Sequence, residues 1–579
     1  MNMLPRPEHP RPQLTRAGWR SLNGEWDFAF DMSVSKRARE FWKNGAYTHK
    51  ITVPFCPESS LSGVGFTDFI PAVWYRRSFT LSAEECAGRV LLHFGAVDYR
   101  CEVWVNETPA GSHKGGYSSF TFDITGAVQP GENTVVLYAA DDVRSPLQPT
   151  GKQCPQYASQ GCHYTRTTGI WQSVWLEFVP KTYISALKME TDPDNGLLTF
   201  EAKLNEAAEG TLTVTASFEG APAGETSLKV RGASVRGQLK VEDVKVWDIG
   251  APNLYDLSFT LETAGGTDAV RSYTGFRSIE WKDKKFYLNG RSVFQRLVLD
   301  QGFYPDGIYT APSDEALKND IRLSQAMGFN GARLHEKVFE ERFLYWADKM
   351  GYLVWGEYPN WGLDITSGTG LEIMLPEWLS VVERDYNHPA LIGWCPFNET
   401  WDDGATGTRQ DDEVLRSIYL ATKAADHIRP VIDTSGNFHV VTDIYDIHWY
   451  EQEPAVFAKA FAEMAAGGAP FDNHGDRQQY GGQPYMVSEY GGTWWSTQTE
   501  NAWGYGERPA TVEEVCRRYT GLADTLLQNP YICGLCYTQL YDVEQEQNGL
   551  YTYAREKKFP EEIYEKMAAC MKQKAAVED

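Results

Sequence analysis

Two glutamates are placed as a pair that could cleave an acetal. Glu399 closes the run Trp394-Cys395-Pro396-Phe397-Asn398-Glu399, and Glu489 closes Tyr485-Met486-Val487-Ser488-Glu489. Each follows an apolar stretch with no intervening turn signal, so strand-like backbone carries it. Paired carboxylates suit glycosidic chemistry: one donates a proton to the leaving oxygen, and the other attacks the anomeric carbon. That division needs one neutral acid and one ionised base near neutral pH, so their surroundings must push the two pKa values apart. Asp300, Glu357 and Asp433 end similar runs. A lone acid at a strand end is as readily explained as a partner for Arg333 or as a helix cap. Two glutamates, on the fourth and seventh of eight strand candidates, fit that bland explanation less well.

The elements that must position them occupy the last 300 residues. After Lys282, strand-like and helical runs alternate. The strand candidates are a run within Phe286–Leu299, then Ala332–His335, Tyr352–Trp355, Leu391–Cys395, Pro430–Asp433, Asp443–His448, Tyr485–Ser488 and Ile532–Cys536. Helices are expected after the N-cap Ser313 and near 339–350, 376–386, 411–427, 454–464 and 511–527. Eight β-then-α units predict a TIM (β/α)8 barrel over 276–579, with function at the C-terminal ends of its strands. A doubly wound open sheet is the alternative, but no glycine-rich phosphate loop follows the first strand. Upstream, short alternating runs such as Val90-Leu91-Leu92-His93-Phe94 and Thr134-Val135-Val136-Leu137-Tyr138 predict a jelly-roll domain over 1–181. Residues 182–275 continue with strictly alternating runs, such as Leu257-Ser258-Phe259-Thr260-Leu261, and read as an Ig-like β-sandwich. The fold class is therefore multidomain β plus α/β.

Composition narrows the partners. The chain of 579 residues carries a net charge of −24, which argues against a polyanion such as nucleic acid. No apolar run approaches the ~20 residues of a membrane span. The opening Met1-Asn2-Met3-Leu4-Pro5-Arg6-Pro7 has no apolar core of a signal peptide, so a reducing cytoplasm is the expected setting for the ten cysteines. Cys533 and Cys536 form a C-x-x-C within a strand; residues i and i+3 point to opposite faces there, so they cannot share a metal. Aromatic residues make up 13%, which fits large β cores and also the flat surfaces that pyranose rings stack on.

These runs resemble glycoside hydrolase family 2, the group of β-galactosidases, β-glucuronidases and β-mannosidases, over the whole chain. The carriers are Gly18-Trp19-Arg20-Ser21-Leu22-Asn23-Gly24-Glu25-Trp26-Asp27-Phe28, Thr168-Gly169-Ile170-Trp171-Gln172-Ser173-Val174-Trp175, Asn253-Leu254-Tyr255, Asn398-Glu399 and Ser488-Glu489-Tyr490-Gly491. The resemblance implies a retaining exo-β-glycosidase with Glu399 as acid/base and Glu489 as nucleophile. It implies that Asn398 holds the sugar 2-hydroxyl, that Arg333 lies beside the nucleophile and that Tyr450 hydrogen-bonds it. Asp300 would contact sugar hydroxyls, and Tyr537 stands where many relatives carry a tryptophan under the sugar. His335, His448 and Trp495 complete the substrate-binding set. The chain departs from relatives at His335-Glu336-Lys337, where His-Tyr-Pro is common, and His388 reads as structural. Some β-galactosidases of the group bind Mg²⁺ through Glu and His in the loop after the third strand; that loop here, Glu357 to Met374, has no histidine, so no catalytic metal is expected, and no cofactor is expected either. Relatives that act on glucuronides hold the carboxylate with Asn-x-Lys after the eighth strand; here the triplet is Glu546-Gln547-Asn548. An acid there would repel a uronate, so a neutral glycone, first a β-galactoside, is expected. A glucuronide or other uronide, an arabinoside, a mannoside, a glucoside and a non-catalytic carbohydrate-binding protein remain as alternatives. Oligomeric state, a homo-oligomer included, is left open.

Overall fold

The computed structural model describes residues 4–400, 410–496 and 502–578, so the first three residues of the opening read for a leader lie outside it. No described helix is long and apolar enough to cross a membrane.

The N-terminal domain is two antiparallel sheets packed face to face. One orders strands Trp19–Ser21, Val174–Val179, Arg89–Phe94 and Phe120–Asp123; the other orders His49–Val53, Gly24–Phe30, Ala72–Leu81, Gly131–Ala140, Arg100–Val105 and Thr108–Lys114. Alternation explains the layers. Val135, Leu137 and Ala139 face the core with Phe28, Tyr75, Leu92 and Leu176, while Val136 and Tyr138 cover a second cluster around Trp74 and Trp104.

The middle domain departs from two separate sheets. Strand Leu197–Phe218 slips register between Lys203 and Ala208. Its first half pairs with Ile184–Asp192 and its second with Tyr255–Thr263, while Ala221–Lys240 follows it along its length. A slip of this kind bends a strand, and Phe200, Leu212, Val214 and Phe259 from both halves share one core.

The third domain supplies the site. Seven parallel strands form a curled sheet in the order Leu391–Cys395, Leu353–Glu357, Gly331–Leu334, Gln295–Asp300, Ile532–Thr538, Tyr485–Gly491, Tyr445–Trp449. Nearly every strand residue is buried, as in a sheet covered on both faces. The fifth expected strand does not form as such. Val431 makes one parallel bridge to Trp394, and Ser435 one to Asn398. The reason lies in Asp433, whose carboxylate accepts from the amides of Thr434, Val440 and Val441 and turns the chain at once. Helices start where caps allow. Ser313 Oγ accepts from Ala316 N and Thr511 Oγ1 from Glu514 N, opening Asp314–Ala326 and Val512–Leu527. The helix expected from 376 begins earlier, at Gly368, and runs through Pro376 to Asp385. Cys533 and Cys536 are free and lie within one barrel strand, as expected. His388 Nδ1 sits 2.6 Å from Asp348, which also accepts from Tyr273 of the middle domain, so it ties two domains together below the barrel.

Asp433 also pairs with a histidine. His439 lies 2.7 Å from Asp433 and 3.2 Å from Asp446. Burial alone would lower its pKa, but the two carboxylates raise it from 6.5 to about 10. Folding therefore favours the cation. Its stabilisation is complete below pH 6.5 and is lost as pH climbs towards 10. His439→Gln is expected to cost about 3–5 kcal/mol at pH 6, the range for breaking a buried pair, and to flatten the loss of thermal midpoint between pH 7 and 10. Melting curves across pH check both; parallel decline of the two proteins would refute the assignment.

Candidate active site

Glu399 and Glu489 converge at the mouth of the barrel. Glu489 sits inside the strand Tyr485–Gly491, while Glu399 lies four residues beyond Leu391–Cys395 at φ 43°. The Glu399 amide donates to Ser435 O at 3.0 Å, so the aborted fifth strand holds this backbone in place. One oxygen of each carboxylate and a nitrogen of His448 lie within 4.8 Å of one another.

Arg333 organises the nucleophile side. Its Nη1 donates to Ser488 O at 2.8 Å and to Glu489 Oε1 at 3.2 Å, its Nη2 to Asn398 Oδ1 at 3.1 Å, and its Nε to Glu357 Oε1 at 2.6 Å. The Tyr450 hydroxyl donates to Glu489 Oε2 and its ring stacks on Tyr505 with centroids 3.4 Å apart. Burial by itself would raise the Glu489 pKa, but His448, His335, Arg333 and Lys152 hold it down to about 2. Glu489 is thus an anion throughout the working range.

His448 joins the two acids. Its Nδ1 is 2.7 Å from Glu399 Oε1, and its Nε2 is 2.9 Å from Ser435 Oγ and 3.5 Å from Glu489 Oε1. Burial opposes its charge, yet Glu489 and Glu399 raise its pKa above the ordinary value. Gly436, at φ 90°, makes this possible: a Cβ there would lie 2.3 Å from the His448 ring. His335 sits one step back, 3.2 Å from Glu357 and 3.9 Å from Glu489. Glu399, His448 and Glu489 have metal-ligand types, but each is already engaged, and the Arg333 guanidinium beside Glu489 opposes a dication there.

The structure brings Asn398, Arg333, His335, His448 and Tyr450 around the two glutamates. Asn398 accepts from Arg333 through Oδ1, and its Nδ2 has no acceptor among the described residues. Asp300 accepts from Gly302 N at 2.9 Å and Tyr541 OH at 2.5 Å, and burial beside Asp320 raises its pKa to about 6. Two expected residues stand apart. Trp495 packs near Phe559 and beneath Arg508, and Tyr537 is buried against Gly491, where a Cβ would lie 2.4 Å from its ring. Neither lines the cavity of about 770 Å³ that opens beside Glu399, His448 and Tyr450.

That cavity also holds residues which sequence reasoning missed. Asn360 and Trp361 donate to Asn398 O at 3.2 and 2.9 Å. Cys162 and His163 line it from the jelly-roll domain. Their segment is held by Thr150 N to Trp361 O at 2.7 Å and by Tyr164 OH to Glu546 Oε2 at 2.6 Å. A long strand-free connection, 141–168, was the signal available. The segment 60–75, which is also long and aromatic, lines no part of the cavity; Leu61 within it and Ser59 just before it donate to Asp306 O instead.

Known proteins match this architecture throughout. A “putative β-glucuronidase” of Formosa agariphila is 30% identical over 340 residues, which is 57% of this chain and 40% of that protein. The β-glucuronidase of Felis catus is 26% identical over 74% of this chain and 70% of its own length, and a β-galactosidase of Thermoanaerobacter pseudethanolicus is 27% identical over 57% and 45%. Two solved structures share the fold at 19% identity. They are a Ruminococcus gnavus β-glucuronidase in complex with D-glucuronic acid (TM-score 0.78, 98% of this chain and 99% of that one) and an Eisenbergiella tayi β-galacturonidase bound to glycerol (TM-score 0.74, 98% of each). The sugar binding domain of the glycosyl hydrolases family 2 matches residues 19–177, a second domain of that family 182–277, and its TIM barrel domain 279–521. These matches follow one another in the order in which the sandwich, the bent sheet and the barrel succeed each other, and the chain belongs to glycoside hydrolase family 2.

Proposed function

We propose that this hydrolase is a retaining exo-β-uronidase, with Glu489 as nucleophile and Glu399 as acid/base. The observation that carries the mechanism is the separation of the two carboxylates, within 4.8 Å between one oxygen of each. Retaining pairs stand about 5–5.5 Å apart, whereas inversion needs about 6.5–9.5 Å to admit a water. Arg333 and Tyr450 keep Glu489 ionised and aimed. Asn398, fixed by Arg333 through its oxygen, has its Nδ2 free to donate to the sugar 2-hydroxyl. His448 touches both acids and serves both half-reactions. It offsets Glu489 before attack, and it offsets Glu399 once that residue has given up its proton and Glu489 has become an ester. The jelly-roll segment 150–166 walls one side of the cavity, which suits a terminal sugar.

The uronide replaces the β-galactoside expected from sequence. The relatives named β-glucuronidase and β-galacturonidase support it. So does the state of Glu546, on which the neutral reading rested. Its Oε2 accepts from Tyr164 and its Oε1 from Asn548 at 3.1 Å; burial raises its pKa. It is occupied within the protein wall and does not confront a substrate. A panel of 4-nitrophenyl β-glycosides tests the reading. The glucuronide or galacturonide is expected to give the highest kcat/KM, and NMR of the first product to show the β-anomer. A galactoside at the head of the panel would overturn the uronide, and an α-anomer would overturn retention.

A further inference from the structure

We propose that Lys152, carried by the jelly-roll domain, is the residue that binds the carboxylate of the glycone and so sets specificity for uronides. The inference rests on the uronide reading above and adds the group that would enforce it.

Lys152 is only 6% exposed. Among the described residues no hydrogen-bond acceptor and no ion-pairing carboxylate is within reach of Nζ, and the atom is not sealed from open space. A buried ammonium with unused donors is unfavourable unless something accepts from it. Nζ stands over the face of Trp361, 4.1 Å from the ring centroid. Trp361, Cys162 and His163 line the same cavity as Glu399 and Tyr450. Lys152 is not itself part of that lining, but it stands directly behind Trp361, and its charge helps hold the Glu489 pKa down.

The charge is secure. Burial lowers the pKa, but Cys162, Glu546, Glu489 and Glu399 raise it above the ordinary lysine value. Those acids surround the ammonium without contacting it. If Lys152 merely balanced them, contact pairs would be expected, as Arg333 makes with Glu357 and Glu489.

Placement is equally firm. Thr150 and Gly151 donate to Trp361 O, and a Cβ on Gly151 would strike Glu336 O at 2.4 Å. Lys152 O accepts from Tyr164 N at 2.7 Å, and Tyr164 is bonded to Glu546. Gln545 reaches Gly161 O and His163 O, and Thr165 N reaches Glu544. The turn at 544–546 after the eighth strand, whose neighbouring Lys558 is already bonded to Asp542, thus anchors the segment that carries Lys152. Glu546 is a fastener for Lys152 rather than a repellent for the substrate.

Matched pairs of substrates test this: β-glucuronide with β-glucoside, and β-galacturonide with β-galactoside, for the wild type, Lys152→Met and Lys152→Arg. The ratio of kcat/KM, uronide over neutral partner, is expected to fall about 10²-fold in Lys152→Met, the scale of a lost charge-assisted contact. Lys152→Arg is expected to restore part of it. An unchanged ratio in Lys152→Met, with the wild type preferring uronides, would overturn the role of Lys152 and leave the uronide reading intact. A wild type that prefers the neutral partner in both pairs would overturn the uronide reading itself, and this proposal with it. A general loss of folding or of nucleophile activation lowers both members of a pair together and leaves the ratio alone, which also counts against Lys152.

Discussion

Glu489→Gln is expected to lose turnover on every β-glycoside by about 10⁴–10⁶-fold, the scale seen when a covalent nucleophile is removed. The amide has nearly the shape of the acid but cannot form the glycosyl ester. No substitute is at hand: Glu357 is paired with Arg333 and His335, and Glu399 stands on the protonating side. The fold should survive, because Arg333 keeps Ser488 O, Asn398 and Glu357 when it loses Glu489. Loss should therefore appear in kcat, uniformly across leaving groups, with circular dichroism unchanged. Substrate should still bind, since the sugar contacts are untouched. Above about 1% of wild-type turnover on an activated aryl glycoside, after contamination is excluded, the nucleophile assignment fails.

How far the sequence exposes such a site depends on the range of the interactions that build it. Both glutamates were legible because each ends an apolar run, and a strand end in a barrel is a fixed place. Arg333, Asn398 and Tyr450 were legible by resemblance, and the structure puts them in contact with Glu489 or with its guanidinium partner. The helix at Asp314 was legible because Ser313 is a local cap. The fifth strand was misread because local apolar character cannot show that Asp433 will capture three nearby amides and turn the chain. The helix expected near 376–386 begins a full two turns earlier, at Gly368.

The expectation of a neutral sugar loses its ground for a longer-range reason. Glu546 alone looks like a charge facing the pocket. Its partner Tyr164 lies 382 residues earlier, in another domain, and no local pattern announces that bond. The same holds for Lys152, a lysine of ordinary sequence context whose burial exists only after two domains dock. Tyr537 and Trp495 were named through the resemblance, and the structure packs the first against Gly491 and the second near Phe559.

Glu399→Ala should fail differently from Glu489→Gln, and the difference identifies the two roles. Glu399 is the less enclosed acid, 14% exposed, on the cavity side of His448. Without it, departure of an alkoxide goes unassisted, which costs about 10²–10⁴-fold. A nitrophenolate leaves without a proton, so the first step on an aryl glycoside should stay fast. The second step still needs a base to activate water, and Glu399 is that base. The glycosyl ester on Glu489 should then accumulate, giving a burst of nitrophenol followed by slow turnover, and mass spectrometry should find the labelled peptide at Glu489. Alanine also opens space beside His448. Azide, an anion that needs no deprotonation, should enter there, restore turnover and yield a β-glycosyl azide. His448 Nδ1, which loses its Glu399 partner at 2.7 Å, is left beside the space that azide would enter. An alkyl glycoside should gain little from azide, since its first step is the slow one. Rescue of the alkyl and aryl substrates to the same extent, or an azide product of inverted configuration, would show that Glu399 is not the acid/base.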